Sequence, residues 1–298
     1  MSSPKRAAVV LLMLAFSSCN LDSGGGSGDG VFKFAQGYAF IRDREVFAAD
    51  KSDYQGGKKL GVSGSNSEPA ISADGRVVVF VHTDDTTGKT SLRKVPASGG
   101  AESELVPASA NRQVSQPAIS GNGSLVVFIS TSTTVSTVST VRIDGTAEAA
   151  VPQSTKDASP TFFPDGKSVL CFTGPDSLAH DQLTALELLS GTRTVKLSSL
   201  ASTGSRAVLS PDGASVAFEE KVSGKYKIFV APIAGGTPAQ ITATDGDDRF
   251  PTWVSSARLG FTSNSGGQDN VYELDVASAK GSAKLTVPVA SQGAFGGK

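Results

Sequence analysis

The chain has 298 residues, a formal net charge of -1 and 18% charged residues, with Lys and Arg scattered along it. No basic stripe results, which argues against nucleic acid as a partner, and two cysteines, Cys19 and Cys171, cannot build a disulfide framework. Abundant Gly, Pro, Ser and Thr between short β-branched runs favour an all-β domain.

Lys5 and Arg6 precede an apolar run from Ala7 to Phe16. Ten residues fall short of the roughly 20 that span a bilayer, so the segment reads as a secretory signal. It ends in Phe16-Ser17-Ser18-Cys19, which resembles the lipobox of bacterial lipoproteins, with Phe16 where that family usually has Leu. The resemblance implies a signal peptide over residues 1–18 and a lipidated Cys19; the alternative is an ordinary signal with an incidental cysteine. Residues 19–30 are read as the lipidated cysteine and a Gly/Ser-rich tether, whose part from Asn20 to Gly30 has an expected end-to-end distance of about 18 Å. The expected location is a bacterial cell envelope, lipid-anchored and outer-membrane, periplasmic or surface-facing, with the membrane contacted through the N-terminal lipid.

From residue 31 onward one motif recurs. Pro69-Ala70-Ile71-Ser72-Ala73-Asp74-Gly75 leads into Val77-Val78-Val79-Phe80, and similar runs begin at Pro117, Pro160 and Ala207, with a worn copy at Pro251. Their spacings are 48, 43, 47 and 44 residues, the period of a propeller array. The copy at Ala207 shows the whole unit. Ala207 to Ser210 is strand a, Pro211-Asp212-Gly213 turns the chain, and Val216 to Glu220 is strand b. Ser223-Gly224-Lys225 turns again, Tyr226 to Pro232 is strand c, and Ala239 to Thr242 is strand d. Tyr38 to Arg42, Glu45 to Ala49 and Lys58 to Val62 supply strands b, c and d of a sixth unit. Its strand a comes either from the tail around Gln292-Gly293-Ala294-Phe295 or from Val31 to Phe34, and the tail is the expected choice because it closes the ring from both termini. The fold class predicted is a six-bladed β-propeller of four-stranded antiparallel blades over residues 31–298.

These repeats resemble those of TolB-type propellers, most closely over residues 206–242. That resemblance implies envelope proteins as partners. The same repeat occurs in propellers of diverse function, so it specifies fold more than activity.

Little in the sequence carries chemistry. No Gly-x-Ser-x-Gly occurs and no hydrolase domain fits after the last repeat. The two histidines, His82 and His180, lie about two blades apart in loops, too few and too distant for a metal centre. Asp84-Asp85 and Asp245-Gly246-Asp247-Asp248 read as solvated turns, the latter lacking the distal Glu of a calcium loop. Cys171 and Trp253 read as core, and the Ser/Thr run from Ser130 to Thr140 as an extended polar hairpin.

In a propeller the b–c loops and d–a connections share one face, here the longer and more varied loops, while the Asp-Gly and Gly-Gly turns share the other. Loops on a rigid scaffold carry binding. The binding-face candidates are therefore Glu68, Asp84, Asp85, Arg112, Gln116, Asp157, His180, Asp181, Arg206, Asp247, Asp248 and Arg249, with Glu68, Gln116, Ser159, Arg206 and Arg249 expected to ring the channel mouth. The function expected is non-enzymatic binding of an envelope protein, peptide or polysaccharide by a monomeric chain, without cofactor or metal. The alternative is an enzyme acting on a carbohydrate or lactone with a metal in the channel mouth.

Overall fold

Period-2 apolar runs separated by Pro-Asp-Gly and Gly-Gly turns can bury both faces only by stacking sheet on sheet. The computed structural model describes residues 32–60, 64–133, 135–174, 181–198, 200, 206–278 and 280–297. It has six four-stranded antiparallel sheets, the blades of a six-bladed β-propeller. Blade 1 is the split one. Its strands b, c and d are Gly37–Arg42, Glu45–Asp50 and Lys58–Lys59, and its inner strand is the tail, Ser291–Gly296, paired antiparallel to Gly37–Arg42. The tail therefore closes the ring. Phe32 and Phe34 pack on the core between blades 1 and 2 without forming a strand. The inner strands of blades 2 to 6 are Ser65–Ile71, Gln113–Ile119, Ala158–Phe162, Ala207–Leu209 and Asp248–Ser255.

The core is a ring of six blade-to-blade clusters. Alternation along strand b explains this. In blade 2, Val78 and Phe80 face blade 1, while Val79 and Val81 face blade 3. Each blade places one phenylalanine of strand b at full burial: Phe40, Phe80, Phe128, Phe172, Phe218 and Phe261. Each contributes about 1.5–3 kcal/mol by burial. Phe40 shows that the split unit obeys the same rule as the others. Gly260 breaks the apolar alternation of its strand for a steric reason: a Cβ there would lie 2.4 Å from the Tyr38 hydroxyl of blade 1.

The repeated turn also has one chemistry. The Ser72, Ser120 and Ser210 hydroxyls donate to Asp74, Asn122 and Asp212, at 2.6, 2.8 and 2.5 Å. They accept the N–H of Val77, Leu125 and Ser215 in return. The glycine that follows takes the left-handed region, with φ of 69° at Gly75 and 70° at Gly213. Asp212 gains a hydrogen bond from Ser210 and another from the Ala214 N–H, and its carboxyl is pulled from 3.8 down to about 2. Its folded value lies below its unfolded one, so its contribution is complete above about pH 4 and is lost as pH falls towards 2. Asp212→Asn should flatten that limb of a pH-dependent urea unfolding series; an unchanged slope between pH 4 and 2 would count against the assignment.

Boundaries differ from expectation in small ways. Strand d of blade 1 is described only over Lys58–Lys59, since residues 61–63 lie outside the described residues. The Ser/Thr run forms the ends of two paired strands, Leu125–Thr131 and Ser136–Arg142, joined by a short loop. Cys171 is fully buried, and burial pushes its thiol up. Cys19 and the tether lie outside the described residues.

Candidate functional site

Five of the six inner strands carry a β-bulge at or beside the residue before the repeat's proline position, where the ladder lacks a donor in four of them; that of blade 5, Ala207–Leu209, keeps a continuous register. Glu68, Gln116, Ser159, Phe250 and Gln292 sit there with φ between 52° and 54°. The bulge releases the N–H groups of Glu68, Gln116, Ser159 and Phe250 from their own sheets and turns them to the preceding blade. Gln292 Oε1 accepts the Glu68 N–H at 2.5 Å, Glu68 Oε2 accepts that of Gln116, and Gln116 Oε1 accepts that of Ser159 at 2.6 Å. The Ser159 hydroxyl then accepts the Ala207 N–H at 2.8 Å. Side chains of one blade thus hold the backbone of the next, forming a polar collar around the channel.

The collar corrects one expected position. Phe250, one residue after Arg249, is the blade 6 member, and Gln292 completes the ring. Arg249 instead stacks its guanidinium on Tyr226, 4.4 Å from the ring centre, and pairs with buried Glu219 at 3.4 Å. Glu219 also accepts the Phe250 N–H at 2.7 Å. It was missed in the sequence, although a carboxylate stands there where Val81, Ile129 and Thr262 follow the corresponding phenylalanines. Arg206 lies 5.0 Å from the Phe250 ring centre and 3.2 Å from Glu68.

Most other candidates are tied into the scaffold. Asp84 closes its own loop by accepting from the Thr86 and Thr87 N–H groups, and these bonds with the Thr87 hydroxyl lower its carboxyl. Asp85 pairs with Arg44. Arg112 pairs with Glu148. Asp157 is buried and takes both arms of the Arg193 fork, at 2.9 and 2.6 Å. Asp247 accepts the Tyr226 N–H at 2.8 Å.

The loop that looks like a calcium site is organised by an internal cation. The Lys227 ammonium donates to the carbonyls of Thr244 and Gly246, at 2.7 and 2.6 Å, and to Asp248 Oδ2 at 3.1 Å. Asp248 is fully buried, so the pair is structural rather than solvated. His82 stands at the end of strand b with Nδ1 2.9 Å from Asn66 Oδ1, and burial lowers its basicity. Asp181 is described, with its Oδ1 buried and without a hydrogen-bond partner among the described residues; His180 lies outside them. Among the described residues no three His, Cys, Asp or Glu side chains are grouped to hold a metal ion.

One concave site is the central channel, a cavity of about 290 Å³ lined by the inner strands of all six blades; a more open cavity of about 620 Å³ lies beside Asp181, Lys156 and Arg193. Arg206, Phe250 and Gln292 bound the channel towards the collar. Its other end is framed by turn residues Ala73, Gly121, Pro164 and Pro211 and by Gly297, so it opens on the tight-turned face. Between lie small or apolar side chains, among them Ala70, Ala118, Val208 and Ala294. Of the sequence candidates only Arg206 lines it. Trp253, expected in the core, is 7% exposed, donates to the Val208 carbonyl at 3.0 Å, and also lines the channel.

No family model matches the sequence, and no curated protein matches it. Among solved structures, the fold is similar to TolB from Acinetobacter baumannii at 16% identity and a TM-score of 0.71, over 90% of this chain and 68% of that one. A putative TolB from Agrobacterium tumefaciens matches at 16% identity and 0.65, over 85% of this chain and 89% of that one. An oligogalacturonate lyase in complex with manganese matches at 13% identity and 0.55, over 84% and 74%. The structure is therefore similar in fold to TolB-like six-bladed propellers, and at these identities the likeness extends to the fold alone.

Proposed function

We propose that this chain is a non-enzymatic binding module of a bacterial cell envelope, held to a membrane by a lipid on Cys19, that captures a protein or peptide partner. The observation that carries the binding reading is the channel: a concavity of mixed apolar and polar lining, framed by six inner strands and bounded by a hydrogen-bonded collar. Concave sites that combine apolar lining with a few placed polar groups are the usual form of binding sites. The fold likeness to TolB agrees with an envelope role, and the lipobox-like Phe16 to Cys19 supports the anchor. A metal-dependent reaction on a carbohydrate or lactone draws less support, because the buried carboxylates of Asp157, Glu219 and Asp248 are each paired with a cationic side chain.

Photocrosslinking from intact cells tests the reading, with the photoreactive residue at Phe163 or Val254 near the channel and at Leu189 on an exposed turn as control. A discrete adduct from the channel positions, absent from Leu189, is expected. Equal labelling from all three would count against it. Acyl mass at Cys19 and partition into the detergent phase are expected for the anchor, and an unmodified, aqueous-phase protein would overturn that part.

A further inference from the structure

The collar repeats one structural task, and two of its members do not perform it. Gln292, Glu68, Gln116 and Ser159 each accept a backbone N–H from the next blade. Arg206 has only donors, so the N–H of Phe250 goes to Glu219 instead. Phe250 has no polar side-chain atom, and Thr252 holds blade 1 in its place through the Phe295 N–H, at 2.9 Å. Departures from a repeated local solution concentrate at functional sites.

Arg206 belongs to blade 5 and Glu68 to blade 2, three blades apart in a ring of six, so their ion pair spans the channel. It is a bar at the collar end. Nη2 of Arg206 lies 3.2 Å from Glu68 Oε1, yet the alignment is not that of a hydrogen bond, and among the described residues this buried nitrogen has no hydrogen-bond partner. Beyond the bar runs the channel, lined by apolar side chains together with Thr161, Ser210, Thr252 and Gln292, and open on the tight-turned face.

We propose that the channel receives the C-terminal end of a peptide entering from the tight-turned face, with its terminal carboxylate on Arg206 and its last apolar side chain against Ala70, Ala118 and Val208. This deepens the binding reading above and rests on it. A guanidinium matches a carboxylate in plane and charge, and the Arg206 nitrogen that faces Glu68 at the end of the channel makes no aligned hydrogen bond among the described residues. Glu68 is then a resident competitor that holds the place of the incoming carboxylate. A uronic sugar suits the channel less, because the polar side chains Thr161, Ser210, Thr252 and Gln292 are interspersed with Ala70, Ala118 and Val208, which leave part of a ring's hydroxyl set unpartnered. An alkyl acid suits it less as well, because it would leave the hydroxyls of Thr161 and Thr252, which also line the channel, facing a chain with no polar atoms. The volume of about 290 Å³ falls at the small end of ligand pockets, as a short chain end requires.

Trp253 is the only tryptophan in the sequence and lines the cavity, so its emission reports occupancy. The purified protein is titrated with acetyl-Gly-Ala-Val bearing a free C-terminus, with the same peptide as its C-terminal amide, and with octanoate. The free acid should give a saturable change, with the amide at least about tenfold weaker. Arg206→Gln should erase that difference. Glu68→Gln keeps an oxygen for the Gln116 N–H and should tighten binding of the acid by about threefold or more. Melting curves of both variants confirm that they fold. Equal binding of acid and amide, octanoate binding as tightly as the peptide, or no saturable change up to about 10 mM would each overturn the proposal. A silent titration beside a specific channel crosslink in cells overturns the carboxylate assignment alone; silence in both overturns the binding reading too.

Discussion

Lys227→Met should lower the free energy of unfolding by about 3–5 kcal/mol, because removing one partner of a buried ion pair leaves the other charge uncompensated. Asp248 is fully buried, and without the ammonium its Oδ2 loses its donor. The carbonyls of Thr244 and Gly246 lose theirs at the same time, so a whole d–a connection comes apart around a vacant centre. Methionine keeps length and volume close to those of lysine, which isolates the charge. Adding Asp248→Asn should recover part of the loss, since the neutral amide is cheaper to bury and its oxygen can still accept from the Thr244 hydroxyl. Urea unfolding of the single and double variants measures both. A single variant within about 1 kcal/mol of wild type would show that the loop stands without its internal cation.

Deleting residues 291–298 should lower the melting temperature by at least about 10 °C, or abolish cooperative unfolding, given roughly 2–4 °C per kcal/mol for a domain of this size. The tail is the inner strand of blade 1, and without it Gly37–Arg42 becomes an unpaired edge beside the channel. Phe295 leaves the edge-on packing with Tyr38, at 5.1 Å between ring centres, and Gln292 no longer holds the Glu68 N–H. The seam between blades 6 and 1 would then rest on a small apolar cluster, the Tyr38 hydroxyl donating to Glu273 at 2.9 Å, and Arg42 donating to the carbonyls of Val289 and Pro288. Differential scanning calorimetry reads the outcome, and a truncated protein melting within about 2 °C of wild type would show that the tail does not close the ring.

Much of the architecture was legible because propeller blades are built from local signals. A Ser-Pro-Asp-Gly turn, a strand ending in phenylalanine and a Gly-Gly turn each fix conformation within a few residues, and repetition at a near-constant spacing multiplies the signal. The site was less legible. Asp157, Asp247 and Asp248 look like solvated loop carboxylates in sequence, but their partners Arg193, Tyr226 and Lys227 lie about 20 to 36 residues away, and only folding brings the pairs together. Glu219 carried a usable signal, a charge at a strand position held elsewhere by Val81 or Ile129. Phe250 could have been found by counting back from Pro251, as Glu68 and Gln116 are found from Pro69 and Pro117.

By itself the sequence determined the blade unit, the number of blades and the identity of the turns, because backbone preference and period-2 burial act between near neighbours. Only the tertiary structure decided that the tail takes the inner strand of blade 1, that the residues before Pro69, Pro117, Pro160 and Pro251 bulge to hand their N–H groups to the preceding blade, and that Arg206 meets Glu68 across the channel. Those outcomes depend on which strands face one another around a closed ring, and ring closure joins residues more than 100 positions apart whose mutual distance no local pattern encodes.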